Sequence, residues 1–181
     1  MVRTPFGRSL PDPRRTSTFL DSCAFDPKYQ PEHEAAQRIR SLRQSVRISI
    51  LIAHSNQKEI EHPNTPADVK AEAADMSYTI ETALTPDEVS RRAQIHEAIT
   101  GDGNPAKYQA DAYHVFEAGK YGGGYFVTTD KRILARKVQL EAISGAIILK
   151  PSEWLGIYEA EVDAYPYRSR PRSLVSDRST C

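Results

Sequence analysis

Four short runs of strand character, at 17–21, 48–53, 125–129 and 146–149, alternate with stretches of helical spacing, and this alternation limits the fold more than any other feature. The run 48–53 is apolar except for Ser49, as suits a strand buried on both faces. From 31 to about 44, Ala35, Ile39 and Leu42 recur every three to four residues, with Pro31 in the first turn. Beyond a break at 62–66, residues 67–76 read as a short helix. Thr85 or Pro86 opens another, to about 100, with Val89, Ala93 and His96 in register. Residues 106–121 place Ala112, Val115, Phe116 and Gly119 on one stripe. Asp130 begins a helix to about 142, and Pro151 opens the last one. Strand–helix alternation of this kind predicts right-handed crossovers. The expected fold is α/β: three layers, α/β/α, around a central parallel sheet of four to five strands.

Four acids fall where such a fold could gather them. Asp21 ends the first run. Glu59 lies just beyond the second, one turn after Ser55, which reads as a helix cap. Asp111 sits near the start of the 106–121 helix, and Asp130 ends the run 125–129. In an open parallel sheet, ligands bind beyond the carboxyl ends of the strands, where the strand order reverses. Acids held there repel one another unless a cation joins them, and a divalent metal acting on phosphate is the simplest reason to build such a cluster. Singly, each acid has a plain alternative: a strand-end turn for Asp21, an exposed helix acid for Asp111, a helix N-cap for Asp130. Glu61 and Glu117 read as surface charges, and His54 as a polar residue satisfied at an element end.

A chain of 181 residues, 39% of them hydrophobic, fits one domain with tails. No run approaches the roughly 18 apolar residues of a membrane span, and no apolar run follows the basic N-terminus, so no signal peptide is expected. Cys23 and Cys181, the two cysteines, give neither a disulfide framework nor zinc spacing, which suits a reducing, cytoplasmic setting. The formal net charge is zero but uneven: 1–16 and 164–181 each carry +3, which leaves −6 for 17–163. The expected organisation is a basic flexible arm over 1–16, a domain over 17–163 and a basic flexible tail over 164–181. There is no HExxH pair for a zinc protease. Gly119-Lys120 precedes a strand rather than following one, which excludes a P-loop.

The stretch Asp111-Ala-Tyr-His-Val-Phe-Glu-Ala118, followed by Tyr125-Phe-Val-Thr-Thr-Asp130, resembles the PIN-domain nucleases, toxin-like ribonucleases and RNA-processing factors. The family pattern is an acid opening a helix, an alanine seven residues on, then a strand ending in Thr-x-Asp. Phe19-Leu20-Asp21-Ser22 matches the family's first strand, and Ile52 to Ser55 with Glu59-Ile60 is similar to its second strand and acid-bearing helix. The resemblance covers roughly 17–155. Cys23 stands where the family usually has Asn or another small polar residue. Glu59 is preferred to Glu61 because an apolar residue follows it.

The resemblance implies an endoribonuclease in which Asp21, Glu59, Asp111 and Asp130 hold one or two Mg2+ or Mn2+ ions and hydrolyse RNA phosphodiesters. Ser22 and Thr128 would hydrogen-bond a ligand or water, and Lys131 and Arg132 would meet the substrate backbone. It further implies RNA as substrate, a homodimer, and, for a toxin of a toxin–antitoxin pair, an inhibitory antitoxin-type protein. A catalytically silent PIN-like domain that binds RNA or a protein partner is the main alternative. A haloacid-dehalogenase-type phosphohydrolase would want a second Asp at position 23. A phospho-acceptor domain would want an N-terminal acidic pair that the chain lacks.

Overall fold

The computed structural model describes residues 10–25, 30–45, 48–122 and 124–164. Its sheet is five-stranded and wholly parallel, in the order β3-β2-β1-β4-β5. The strands are β1 (Thr18–Leu20), β2 (Ile50–Ile52), β3 (Ser77–Tyr78), β4 (Tyr125–Val127) and β5 (Ile147–Leu149). The helices are α1 (Glu32–Gln44), α2 (His54–Ile60), α3 (Ala67–Ala74), α4 (Pro86–Thr100), α5 (Gln109–Lys120), α6 (Lys131–Ala135), α7 (Lys137–Ser144) and α8 (Pro151–Ala164). The expected three-layer α/β/α architecture is the one found.

Side chains on a strand alternate between faces. Leu20, Ile50, Ile52, Tyr125 and Val127 point into one core, with Ala36 and Ile39 of α1 and Trp154 and Tyr158 of α8. Phe19, Phe126 and Ile148 point into the other, with Ile95 and Ile99 of α4, Val115 and Phe116 of α5 and Leu140 of α7. In the first core the indole N–H of Trp154 donates to Thr18 Oγ1 at 3.1 Å, which satisfies both buried polar groups. In the second, α5 and α7 approach so closely that a Cβ on Gly119 would stand 2.1 Å from the Ser144 carbonyl oxygen.

The helix boundaries follow local chemistry. Thr85 and Glu88 form a reciprocal capping box at α4, with Pro86 in the first turn. Asp130 caps α6. The helix expected from 130 to about 142 is two helices, interrupted at Arg136. β3 was not expected. It is a two-residue edge strand that is half to fully exposed, so no apolar run marks it.

The expected arm and tail fall largely on 1–9 and 165–181, outside the described residues. The described part of the arm is packed rather than loose. Leu10 lies against the first core, the Tyr125 hydroxyl donates to the Pro11 carbonyl, and Arg14 pairs with Asp12 at 2.8 Å. Among the described residues no helix is long and apolar enough to cross a membrane.

A candidate acidic site at the strand switch point

From β1 the chain crosses to β2 and β3 on one side, whereas β4 and β5 lie on the other. The crevice beyond the carboxyl ends of β1 and β4 is therefore the place where the order reverses. Asp21 directly follows β1, and its backbone N–H donates to Val127 O at the end of β4. Thr128, Thr129 and Asp130 follow β4. The parallel pairing of the two strands, Leu20 beside Val127, thus brings both ends into one crevice.

Asp21 is 4% exposed and richly held. Its Oδ2 accepts from Thr128 Oγ1 at 2.7 Å and from the Cys23 thiol at 3.0 Å, and its Oδ1 accepts from Ser22 N at 2.9 Å. His114 Nδ1 stands 3.4 Å from Oδ1, an ion-pair distance whose alignment is too poor for a hydrogen bond. Burial alone would push the Asp21 carboxyl up. His114, with Cys23 and Thr128 donating, outweighs burial and holds it below the usual carboxylate range.

Ser22 and Thr128 each tie the acids to the scaffold. The Ser22 hydroxyl donates to Glu59 Oε2 at 2.7 Å, so it bridges Asp21 and Glu59. Thr128 Oγ1 accepts from Asp130 N at 3.0 Å while donating to Asp21. Cys23 reinforces Asp21 and also accepts from Thr129 N. Burial and the Asp21 charge raise the Cys23 thiol, so it stays protonated and donates.

Glu59 rather than Glu61 belongs to this cluster. With its amide oriented to satisfy both sides, the buried Asn56 donates to Glu59 Oε2 at 3.2 Å. Glu61 is exposed and accepts from Gln57. Asp130 fulfils its plain alternative as well, because its Oδ1 accepts from Arg132 N and Ile133 N and caps α6. Asp111, the third residue of α5, is half-buried. Burial, then the charges of Asp21 and Asp130, and also that of Glu59, push it up to about 6; His114 offsets only part. Asp111 thus feels the other three acids, the electrostatic sign that all four share one region.

His114 is the residue of this cluster that sequence reasoning missed. It is 1% exposed, one turn beyond Asp111 on α5. Burial pushes the imidazole toward neutrality, but Asp21, then Glu59 and Asp111, outweigh this and raise it. The available signal was its spacing: a helix acid and a histidine three residues on share a face.

Three of the residues singled out in the sequence sit differently from expectation. The Arg132 guanidinium stacks over the Tyr108 ring, 4.1 Å from its centroid, and donates to the Thr100 and Ile99 carbonyls at the end of α4. Arg132 is thus engaged in the scaffold, whereas Lys131 is exposed. Glu117 is not a surface charge. It accepts from His54 N at 2.7 Å, Ser55 N at 3.2 Å and Thr79 Oγ1 at 2.8 Å, and so caps α2 from outside. Ser55, expected to be that cap, has a buried hydroxyl with no hydrogen-bond partner.

The donor set is carboxylate oxygen, the chemistry of a hard divalent cation, and Asp111 is raised by burial and then by the charges of Asp21, Asp130 and Glu59, which His114 only partly offsets. The four side chains are not drawn into a single ligand sphere. Among the described residues, no three His, Cys, Asp or Glu side chains stand together closely enough to hold one ion. No family model matches this chain, and no curated protein does.

Proposed function

We propose that this chain is a divalent-metal-dependent ribonuclease of the PIN type. One observation carries the reading: Asp21, Glu59 and Asp130, far apart in sequence, all act on the half-buried Asp111 at the strand switch point, where burial first and then their charges raise its carboxyl. Asp21, Glu59, Asp111 and Asp130 are the residues that would hold Mg2+ or Mn2+. When bound, such an ion supplies Lewis-acid polarisation of a phosphodiester and a lowered pKa for the attacking water. Ser22 and Thr128 fix the Asp21 and Glu59 carboxylates by hydrogen bonds. Lys131, exposed beside Asp130, would meet a phosphate of the substrate.

The test is manganese-dependent cleavage of single-stranded RNA by the purified chain and by Asp21→Asn and Asp111→Asn. Loss of about 100-fold or more in both variants is expected. Near-wild-type rates in folded variants would refute the assignment.

A second reading, a PIN-like scaffold that binds RNA or protein without cleaving, is favoured by the absence of a grouped ligand trio among the described residues and by the histidine already paired with Asp21. Calorimetric titration with Mn2+ separates the two. Binding abolished by Asp21→Asn supports the enzyme, and no metal-linked heat supports the scaffold.

A further inference from the structure

Helix α5 has a second working face. Asp111 and His114 look toward the acids, whereas Gln109, Tyr113, Glu117 and Lys120 recur at helical spacing along a groove of about 550 Å³. The opposite wall is the extended segment 79–85, which precedes α4. It is pinned in place, because the Tyr121 hydroxyl donates to Ile80 O and Lys120 Nζ donates to Thr82 Oγ1 at 2.7 Å. The groove is therefore pre-formed, as small-molecule sites usually are, and its volume suits a flat heterocycle with its sugar. Glu59 lines its inner end and also belongs to the acid cluster, so the groove and the acids are continuous.

The groove's chemistry is specific. The Arg92 guanidinium lies over the Tyr113 ring, 4.6 Å from the centroid, and has no carboxylate partner among the described residues. Tyr121 adds a second ring on the same lining. Ile80 stands on the rim, 77% exposed. The Glu117 charge, also on the wall, is taken up by the backbone N–H groups of α2. Aromatic rings beside a guanidinium that stacks on one of them but has no carboxylate partner among the described residues make a surface for stacking an unpaired base and pairing its phosphate.

We propose that this groove is a base-binding subsite for single-stranded RNA, in which a nucleotide next to the phosphate held at the acids stacks on Tyr113 and Tyr121 while Arg92 meets its backbone. The proposal deepens the ribonuclease reading and rests on it for the position of the scissile phosphate. A duplex cannot use the groove, because its bases are already stacked and paired.

The test is the affinity of the full chain for a fluorescein-labelled single-stranded 12-mer of oligo(U) or oligo(A), read by anisotropy in EDTA so that nothing is cleaved. Tyr113→Ala should weaken binding about tenfold, and Arg92→Gln should also weaken it and flatten its salt dependence. Tyr113→Phe, which keeps the ring, should bind within about twofold of wild type and so control for folding. The Tyr113→Ala effect should vanish with a 12-mer duplex. Failure of the wild type to bind either oligonucleotide, or Tyr113→Ala binding like wild type, would overturn the subsite. If Tyr113→Ala binds like wild type while wild type cleaves RNA with manganese, the subsite falls and the nuclease stands. If Tyr113→Ala weakens binding but wild type never cleaves, the nuclease falls and the subsite stands.

Discussion

Glu117 and His54 lie 63 positions apart, and the carboxylate of the first accepts the backbone N–H of the second at 2.7 Å. This bond replaces the cap that the sequence of α2 does not supply, because Ala53 occupies the N-cap position and has no side-chain acceptor. A negative charge at the start of a helix is also favoured by the helix dipole. The consequence reaches the acid site, since α2 carries Glu59 and Asn56.

Glu117→Ala should therefore destabilise the protein by about 2 kcal/mol, the loss of a charged acceptor serving two N–H groups and a hydroxyl. Glu117→Gln keeps one acceptor oxygen and should lose less. Hydrogen exchange locates the effect, with the His54 and Ser55 amides becoming less protected in Glu117→Ala. Unchanged exchange at both would show that the cap is not anchored by this carboxylate.

Gly119 sets the distance between α5 and α7. A methyl group there meets the Ser144 carbonyl oxygen at 2.1 Å, and backbone cannot swing aside as a side chain can. Gly119→Ala should cost about 2–3 kcal/mol by overpacking, or roughly 4–10 °C in Tm. Gly156 on α8 is the control, because a Cβ there meets nothing within 4 Å. Gly156→Ala should be neutral or stabilise by up to about 1 kcal/mol through helix propensity. Equal losses from both substitutions would refute the close-approach argument.

The fold was legible where hydrophobic spacing is strong. Runs such as 48–53 and 125–129 stay apolar because helices cover both sides of the sheet, so each marks a buried strand. β3 was not legible, since an edge of two residues leaves no apolar imprint. Asp21 and Asp130 were legible because each ends such a run. Glu117, Asn56 and His114 were not, because their roles exist only across elements. Nothing near Glu117 in sequence indicates that α2 needs a cap, and the spacing of His114 from Asp111 puts the two on one helix face without identifying Asp21 as the partner of the ring. The scaffold contacts of Arg132 were not legible for the same reason: its partners, Tyr108 and the end of α4, are distant in sequence.

Asp111 gives the acid cluster a signature in stability. Its folded value of about 6 lies above the ordinary 3.8, so the native state binds more protons than the unfolded chain between those values. Stability attributable to this group falls as pH rises through that window, and its cost is fully present above about pH 6. Asp111→Asn should stabilise the protein by about 1 kcal/mol at pH 7.5, after discounting for the screening of a half-buried group, and should be close to neutral near pH 4. Urea denaturation at the two pH values in EDTA measures this. A variant less stable than wild type at pH 7.5 would mean that Asp111 is not burdened by its neighbours.

His114 and Asp21 are shifted in opposite directions, which defines a different window. The imidazole is raised from 6.5 and the carboxyl lowered from 3.8, each favouring its charged form. For the carboxyl, the stabilisation is present above its unfolded value and is lost as pH falls through its folded one. For the imidazole, it is full below 6.5 and is lost as pH rises through the raised folded value. The pair therefore contributes most between about pH 4 and 6.5. His114→Gln, similar in size but never charged, should destabilise by about 3 kcal/mol at pH 6, because it leaves the buried Asp21 carboxylate without its cation, and by clearly less at pH 9. Denaturant midpoints at the two pH values, in EDTA, decide the matter, and a loss independent of pH would show that the ring serves packing and not charge. Mn2+ added at pH 6 gives an independent readout. If the imidazolium offsets the charge that the metal would balance, the Tm gain from saturating Mn2+ should be larger in His114→Gln than in wild type.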